Sequence, residues 1–234
     1  MGERRGHSEI YGAGMTKPRN QNGEQTGWTP KGSLRLAGHF LVLFAALVVG
    51  GRAGAIETMA REAFLMDLAT ESVLLEKNAD VPMAPASMSK LMTVYMVLER
   101  LQDGRLSLDD TYSVSETAWR KGGAKSGSST MFLKPGSRVR IEDLLRGIIV
   151  QSGNDASIVI AEALSGSEGQ FALEMNQRAR ELGLDHTNFV NSTGWPDPKH
   201  RTTARDLARR AKRTITDFPQ YHHYYAEKTF TYNG

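Results

Sequence analysis

The chain has 234 residues, 40% hydrophobic and 24% charged, which suits one globular domain with a sizeable core and excludes bulk disorder. Its net charge of +3 sits in the leader, because residues 1–55 hold seven Lys and Arg against three Asp and Glu, leaving 22 against 23 downstream; no global field for nucleic acid remains. The chain has no cysteine, so disulfides, thiolate catalysis and cysteine-bound metal are excluded, while the redox compartment is left open.

Residues 1–33 are polar and Gly-rich, with Arg4, Arg5, Lys17, Arg19 and Lys31. An unbroken apolar run from Phe40 to Val49 comes next, then Ala53-Gly54-Ala55. A basic region, a ten-residue apolar run and an A-x-A site match a secretory signal peptide, with cleavage before Ile56. Ten residues are too few to span a bilayer, which takes about 20. Met15 is an alternative start. Residues 1–55 are therefore read as an N-terminal extension and signal peptide, the other readings of the apolar run being an uncleaved anchor or a buried core helix, and 56–234 as the folded domain.

In the mature chain, 62–69 and 72–77 are apolar runs separated by Thr70-Glu71, which reads as a β-hairpin. Pro82 and Pro85 break the chain. Leu91, Val94, Tyr95, Leu98 and Leu101 recur at helical spacing, so a helix runs from Ser87 and ends at Gly104. Residues 111–114 read as a short strand. Residues 122–129 are a Gly- and Ser-rich loop, either a plain linker or the border of a site. Helices are expected at 141–150, 154–165 and 168–182, the last closed by Gly183. Residues 186–201 are irregular. Thr203 with Asp206 resembles a capping box, and its helix runs to about Thr216. Residues 226–232 alternate as a strand. Arg209, Arg210, Lys212 and Arg213 read as a solvated helix face. Met88, Met92 and Met96 read as packing. Strands followed by helices and a final strand make an α+β class.

Two features carry chemistry. In Ser87-Met88-Ser89-Lys90 the serine stands at a helix start, and the lysine three residues on shares its face. A serine hydroxyl needs a base to take its proton, and lysine is a base only when neutral. At its ordinary pKa about one lysine in 2,500 is neutral at pH 7; burial or a nearby cation raises that fraction. The other reading of Ser87 is a helix N-cap. The second feature, Ser152-Gly153-Asn154, puts a hydroxyl and an amide on a tight turn between two apolar helices. It reads either as a proton relay and substrate grip or as a cap for the next helix. His222-His223 lack a second ligand pair for metal and read as surface. Asp197, in Gly194-Trp195-Pro196-Asp197, either forms a turn or touches substrate.

Four segments resemble, in family order, the low-molecular-mass D-alanyl-D-alanine carboxypeptidases, which are serine penicillin-binding proteins. They are Pro85-Ala86-Ser87-Met88-Ser89-Lys90-Leu91-Met92-Thr93, Met131-Phe132-Leu133-Lys134-Pro135-Gly136, Gln151-Ser152-Gly153-Asn154-Asp155-Ala156 and Thr202-Thr203-Ala204-Arg205-Asp206-Leu207-Ala208. The resemblance covers about 60–234. It implies a β-lactamase/transpeptidase-like α+β fold, an antiparallel sheet with a helical cluster. It implies that Ser87 attacks the carbonyl of the penultimate D-alanine and Lys90 takes its proton. Ser152 helps pass that proton to the departing D-alanine, Asn154 holds the substrate backbone, and the Ser87 N–H gives half an oxyanion hole. The implied partners are peptidoglycan stem peptides ending in D-Ala-D-Ala, with β-lactam antibiotics as covalent inhibitors. Neither cofactor nor metal nor nucleic acid is implied. The implied location is the periplasm or the cell exterior.

The family's third motif, K-T-G, is absent: Lys228-Thr229 is followed by Phe230, and lies where the family has an earlier strand. The expectation is a catalytic domain truncated before that strand, with an incomplete sheet, exposed apolar faces such as Phe64 and Leu74, and little activity of its own. The family's C-terminal domain and amphipathic anchor, its route to the membrane, are missing too. Two rival readings remain. A β-lactamase commonly has Asp or Tyr where Gly153 stands, and no convincing Glu for deacylation is seen. A truncated pseudoenzyme would hold cell wall or a partner without catalysis.

Overall fold

The computed structural model describes residues 57–233; the expected leader and its cleavage site lie outside them. The chain opens with a hairpin of β1 (Ala63–Met66) and β2 (Val73–Lys77), antiparallel with Phe64 opposite Glu76. The link is longer than the two residues expected. Asp67 Oδ1 accepts from both the N–H and the hydroxyl of Thr70, each at 2.7 Å, and draws residues 67–72 into a turn. A second small antiparallel sheet joins β3 (Thr111–Ser113) to β4 (Arg138–Arg140), with Tyr112 opposite Val139.

Six helices fill the rest: α1 (Lys90–Gln102), α2 (Glu116–Gly122), α3 (Ile141–Gln151), α4 (Asn154–Ser165), α5 (Glu168–Glu181) and α6 (Ala204–Asp217). Three begin on hydroxyl caps. Ser115, Ser167 and Thr203 each accept a hydrogen bond from the N–H three residues on, satisfying donors that the first turn leaves open. The box at Thr203 is only half made. The Asp206 carboxylate turns away and accepts from the His186 N–H at 3.0 Å and the Thr187 hydroxyl at 2.8 Å. It ties the start of α6 to the loop before it.

α4 is the centre. Every residue from Asn154 to Ala161 is buried, as expected of a helix apolar nearly all round. It packs against α2, α3, α5 and α1. Met92 and Val94–Leu98 of α1, Leu144, Leu145 and Ile148 of α3, and Phe171 and Met175 of α5 complete the core. Asp155 sits wholly buried within this apolar helix. Its Oδ1 accepts from Met131 N at 2.8 Å and Ala156 N at 2.9 Å; its Oδ2 accepts from the Thr130 hydroxyl at 2.7 Å and Leu133 N at 3.0 Å. A buried carboxylate is tolerable only when so fully bonded. One side chain thus fastens the 130–133 segment to the head of α4.

Several expectations are corrected. Residues 226–232 form no strand: Pro219–Ala226 is a 3₁₀ helix, and residues 227–232 have no strand beside them among the described residues. Side chains hold this segment instead, with Gln151 Nε2 donating to Phe230 O at 2.8 Å and Arg146 Nε to Glu227 at 3.0 Å. Arg210 is not on a solvated face but 1% exposed. Phe64 is partly covered, its ring lying 4.7 Å from the Arg205 guanidinium, which also pairs with Asp80 and Glu76. Leu74 stands exposed, as expected. The Gly-rich loop begins on α2 and holds a 3₁₀ turn, Ala124–Ser126. No described helix is long and apolar enough to cross a membrane.

Asp155→Ala removes the acceptor of two tertiary N–H groups and a hydroxyl in a dry site. Each hydrogen bond to a charged group is worth about 1.5–3 kcal/mol, so urea unfolding is expected to show a loss of about 3–5 kcal/mol. Asp155→Asn keeps one acceptor oxygen and should lose less. A loss under about 1 kcal/mol for the alanine variant would refute this role.

Candidate active site

Pro85 leads into a 3₁₀ turn, Ala86–Ser89, that hands over to α1 at Lys90. In a 3₁₀ turn side chains three apart eclipse one another. Ser87 and Lys90 are therefore stacked, with Nζ 3.2 Å from Oγ. Their surroundings differ sharply. Ser87 is exposed, whereas Lys90 is 4% exposed. Burial, which penalises the charged form, lowers the Lys90 pKa to about 8. The amine also donates to the Thr193 carbonyl at 2.8 Å. A neutral amine has two N–H bonds and one lone pair, so an N–H on Thr193 leaves the lone pair for the Ser87 hydroxyl.

The loop carrying Thr193 is fixed to α1 along its length. Thr93 donates to Ser192 O at 2.7 Å. Ser89 Oγ lies 2.8 Å from His200 Nε2. His200 Nδ1 accepts from Val190 N–H at 3.4 Å, which assigns the ring hydrogen to Nε2 and makes the imidazole the donor to Ser89. Burial lowers the His200 pKa to about 4 and keeps it neutral. Asn191 Oδ1 gathers the N–H groups of Thr193, Gly194 and Trp195. Gly194 is obligatory: its φ is +82°, and a Cβ there would overlap the Ala86 carbonyl oxygen. Ala86 itself holds φ +48°, a conformation costly for a residue with a Cβ.

Ser152 caps α3 at φ 57°, ψ 34°. It lines one cavity of about 130 Å³ with Ser87 and Lys90, walled by Leu91, Ile148 and Tyr225. Asn154 opens α4, its N–H donating to Ser129 O at 2.9 Å. It lines a larger cavity of about 410 Å³ with Ser126, Thr193 and Trp195. The structure thus brings Ser87, Lys90 and Ser152 into one cavity and Asn154 into the next. Thr193 lies between them: its carbonyl takes Lys90 and it lines the larger space.

Asp197 is spent on a turn, its Oδ1 accepting from Lys199 N at 2.7 Å. His222 and His223 are exposed, and no cluster of His, Asp or Glu among the described residues could hold a metal ion. Thr193 escapes sequence reasoning because its working atom is a backbone carbonyl. His200 and Asn191 act through loop geometry, which periodicity does not report. Only His200 gave a hint, as a histidine two residues before the Thr202–Ala208 segment.

A family model of D-alanyl-D-alanine carboxypeptidases matches residues 50–234. The chain is 43% identical over 197 residues to D-alanyl-D-alanine carboxypeptidase DacC of Escherichia coli, covering 83% of this chain and 49% of that protein. Among solved structures, penicillin binding protein 5 of Haemophilus influenzae aligns at TM-score 0.73 with 37% identity, over 76% of this chain and 51% of the other. Penicillin-Binding Protein D2 of Listeria monocytogenes, solved in its ampicillin-bound form, aligns at TM-score 0.62 with 27% identity, over 76% and 70%. The chain spans about half the length of the curated relatives it matches. With two antiparallel sheets beside a helical cluster, the fold is the penicillin-binding, transpeptidase-like α+β fold, and the chain belongs to the D-alanyl-D-alanine carboxypeptidase family.

Proposed function

We propose that this chain carries the nucleophile of a serine acyl-enzyme hydrolase that removes the terminal D-alanine from peptidoglycan stem peptides. The observation that carries this reading is the Ser87–Lys90 pair, an exposed hydroxyl 3.2 Å from a buried amine whose pKa lies near 8. Burial raises the neutral fraction of Lys90 at pH 7 to about one in ten. As Ser87 Oγ bonds to the carbonyl carbon of the penultimate D-alanine, its proton moves to Nζ. The tetrahedral oxyanion is met by backbone N–H donors, that of Ser87 among them. When the C–N bond breaks, the proton passes by way of the Ser152 hydroxyl to the departing D-alanine nitrogen. Water then cleaves the ester and restores Ser87. Asn154, in the adjoining cavity, holds the substrate backbone on the acyl side. A β-lactam acylates the same serine when its ring amide opens. The apolar run ending at Val49 and Ala53-Gly54-Ala55 support export, with an exported N-terminus at Ile56.

Fluorescent penicillin is expected to label the full-length protein at Ser87. Ser87→Ala should abolish the label and Ser89→Ala retain it; label surviving in Ser87→Ala would mean a different nucleophile. Rapid turnover of nitrocefin, rather than a stable adduct, would point to a β-lactamase.

The labelling rate should also climb with pH through about 8, as Lys90 loses its proton, reaching at pH 7 about a tenth of its plateau. Lys90→Arg should fail at every pH, since arginine does not become neutral. A rate independent of pH from 6 to 10 would remove Lys90 as the base. The sign for stability is the same. The folded state binds fewer protons than the unfolded one between about pH 8 and the ordinary lysine pKa, so burial of Lys90 opposes folding fully below pH 8 and ceases to do so above that window.

A further inference from the structure

Arg210 is the largest of the fully buried side chains, and it has no carboxylate partner. Its Nη2 donates to the Met88 carbonyl at 2.7 Å. Its Nε and Nη1 have no hydrogen-bond partner. The guanidinium lies 5.6 Å from the centre of the Phe189 ring. Asp206, one helical turn away, gives its carboxylate to His186, Thr187 and, at 3.7 Å, Arg209. Burial lowers the Arg210 pKa to about 10. A charge so placed costs stability, and an apolar side chain of equal volume usually packs better. Core filling does not account for it, so its one strong bond requires a reason.

That bond ends on the turn that presents Ser87. Met88 lies between Ser87 and Ser89 in the 3₁₀ turn, and Ala86 just before it is held at a positive φ. Such a conformation persists only when its surroundings fix it. Gly194 closes on the Ala86 carbonyl and His200 holds Ser89, both from the 190–202 loop. Arg210, on α6, is the one charged group in this grip.

We infer that Arg210 is a positioning residue for the nucleophile, holding the Ser87 turn from α6 through the Met88 carbonyl. The role rests on the reading of Ser87 as the acylated serine, but the grip itself does not. Tyr225 borders the same cavity as Ser87, and its hydroxyl is buried without a hydrogen-bond partner among the described residues.

The experiment compares Arg210→Met, Arg210→Lys and Arg210→Gln with the unaltered full-length protein, by amide hydrogen exchange, fluorescent-penicillin labelling and thermal unfolding. Methionine keeps the volume and removes the donor. Lysine keeps a charged donor. In Arg210→Met, exchange over 85–90 should speed at least tenfold while 154–165 is unchanged, since one charge-assisted hydrogen bond is lost. The labelling rate should fall at least tenfold with the unfolding temperature within a few degrees of the parent. Arg210→Lys should return both rates to within threefold. Should Arg210→Met not fold, Arg210→Gln takes its place, with the same losses expected against Arg210→Lys. Unchanged exchange over 85–90, or an unchanged labelling rate, overturns the proposal. So does a loss that tracks unfolding temperature and is not rescued by lysine. If the unaltered protein takes no label, the proposed function falls, and the exchange arm alone decides the grip.

Discussion

The site depends on one dry amine. Lys90 can act on Ser87 only if its proton is easily lost, and the cause of that loss is burial rather than a neighbouring cation. Burial of a donor needs an acceptor, and the Thr193 carbonyl is that acceptor. The loop from Asn191 to Thr202 exists in its observed form to put that oxygen there. Asn191 folds its tip, Thr93 and Ser89 fasten it to α1, and Thr202 pairs with Met83 in an isolated antiparallel bridge. Each of these bonds joins neutral groups.

A second constraint is that the amine must be buried while the hydroxyl three residues before it is open. A regular α-helix sets residues three apart on one face but about 60° offset around its axis. The 3₁₀ turn stacks them, and the change to α-helix at Lys90 puts the boundary between solvent and core between them. Strain accompanies this geometry. Ala86, Phe132 and Ser152 all hold positive φ without being glycine, at a cost of about 1–2 kcal/mol each. Two of the three flank or belong to the candidate site, and Phe132 lies in the segment that Asp155 fastens. The surrounding hydrogen bonds, rather than local preference, keep them so.

Much of the helical layer was legible in the sequence because α1, α3 and α5 each bury apolar residues at helical spacing, and periodicity survives without tertiary information; α6 was legible from its Thr203 cap. α4 emerged at 154–165, as read, between the Ser152-Gly153 turn and Gly166. The Ser87–Lys90 pairing was legible for the same reason: it is local. The errors fall where a partner outside the segment decides. Residues 226–232 alternate as a strand should, yet alternation makes a strand only beside an edge, and side-chain bonds to α3 hold them instead. Arg210 reads as surface beside Arg209, Lys212 and Arg213, and only the position of Met88 makes it internal. α2 was missed because seven residues are too short for periodicity to show; a serine cap and close packing on α4 define it.

The Met131–Gly136 and Gln151–Ala156 segments, separate in sequence, are joined through Asp155. Ser152 and Asn154 differ in which cavity they face, and the sharp corner between α3 and α4 separates them. That corner is set by Ser152 in the left-handed conformation, with the Gly153 N–H donating to the Gly147 carbonyl at 2.9 Å. Asp155, directly after it, has both carboxylate oxygens committed to 130–133 and to its own helix. A displaced 130–133 segment would therefore draw on the first turn of α4, and with it Asn154, before it reached Ser87. The Ser87–Lys90 turn is held separately, by Gly194, His200 and Arg210. The Ser87–Lys90 turn and the head of α4 thus rest on different side-chain bonds, and Thr193 touches both, its carbonyl taking Lys90 and its side lining the Asn154 cavity. A change in the 130–133 segment would be felt first in substrate binding, and a change in the 190–202 loop would be felt in both.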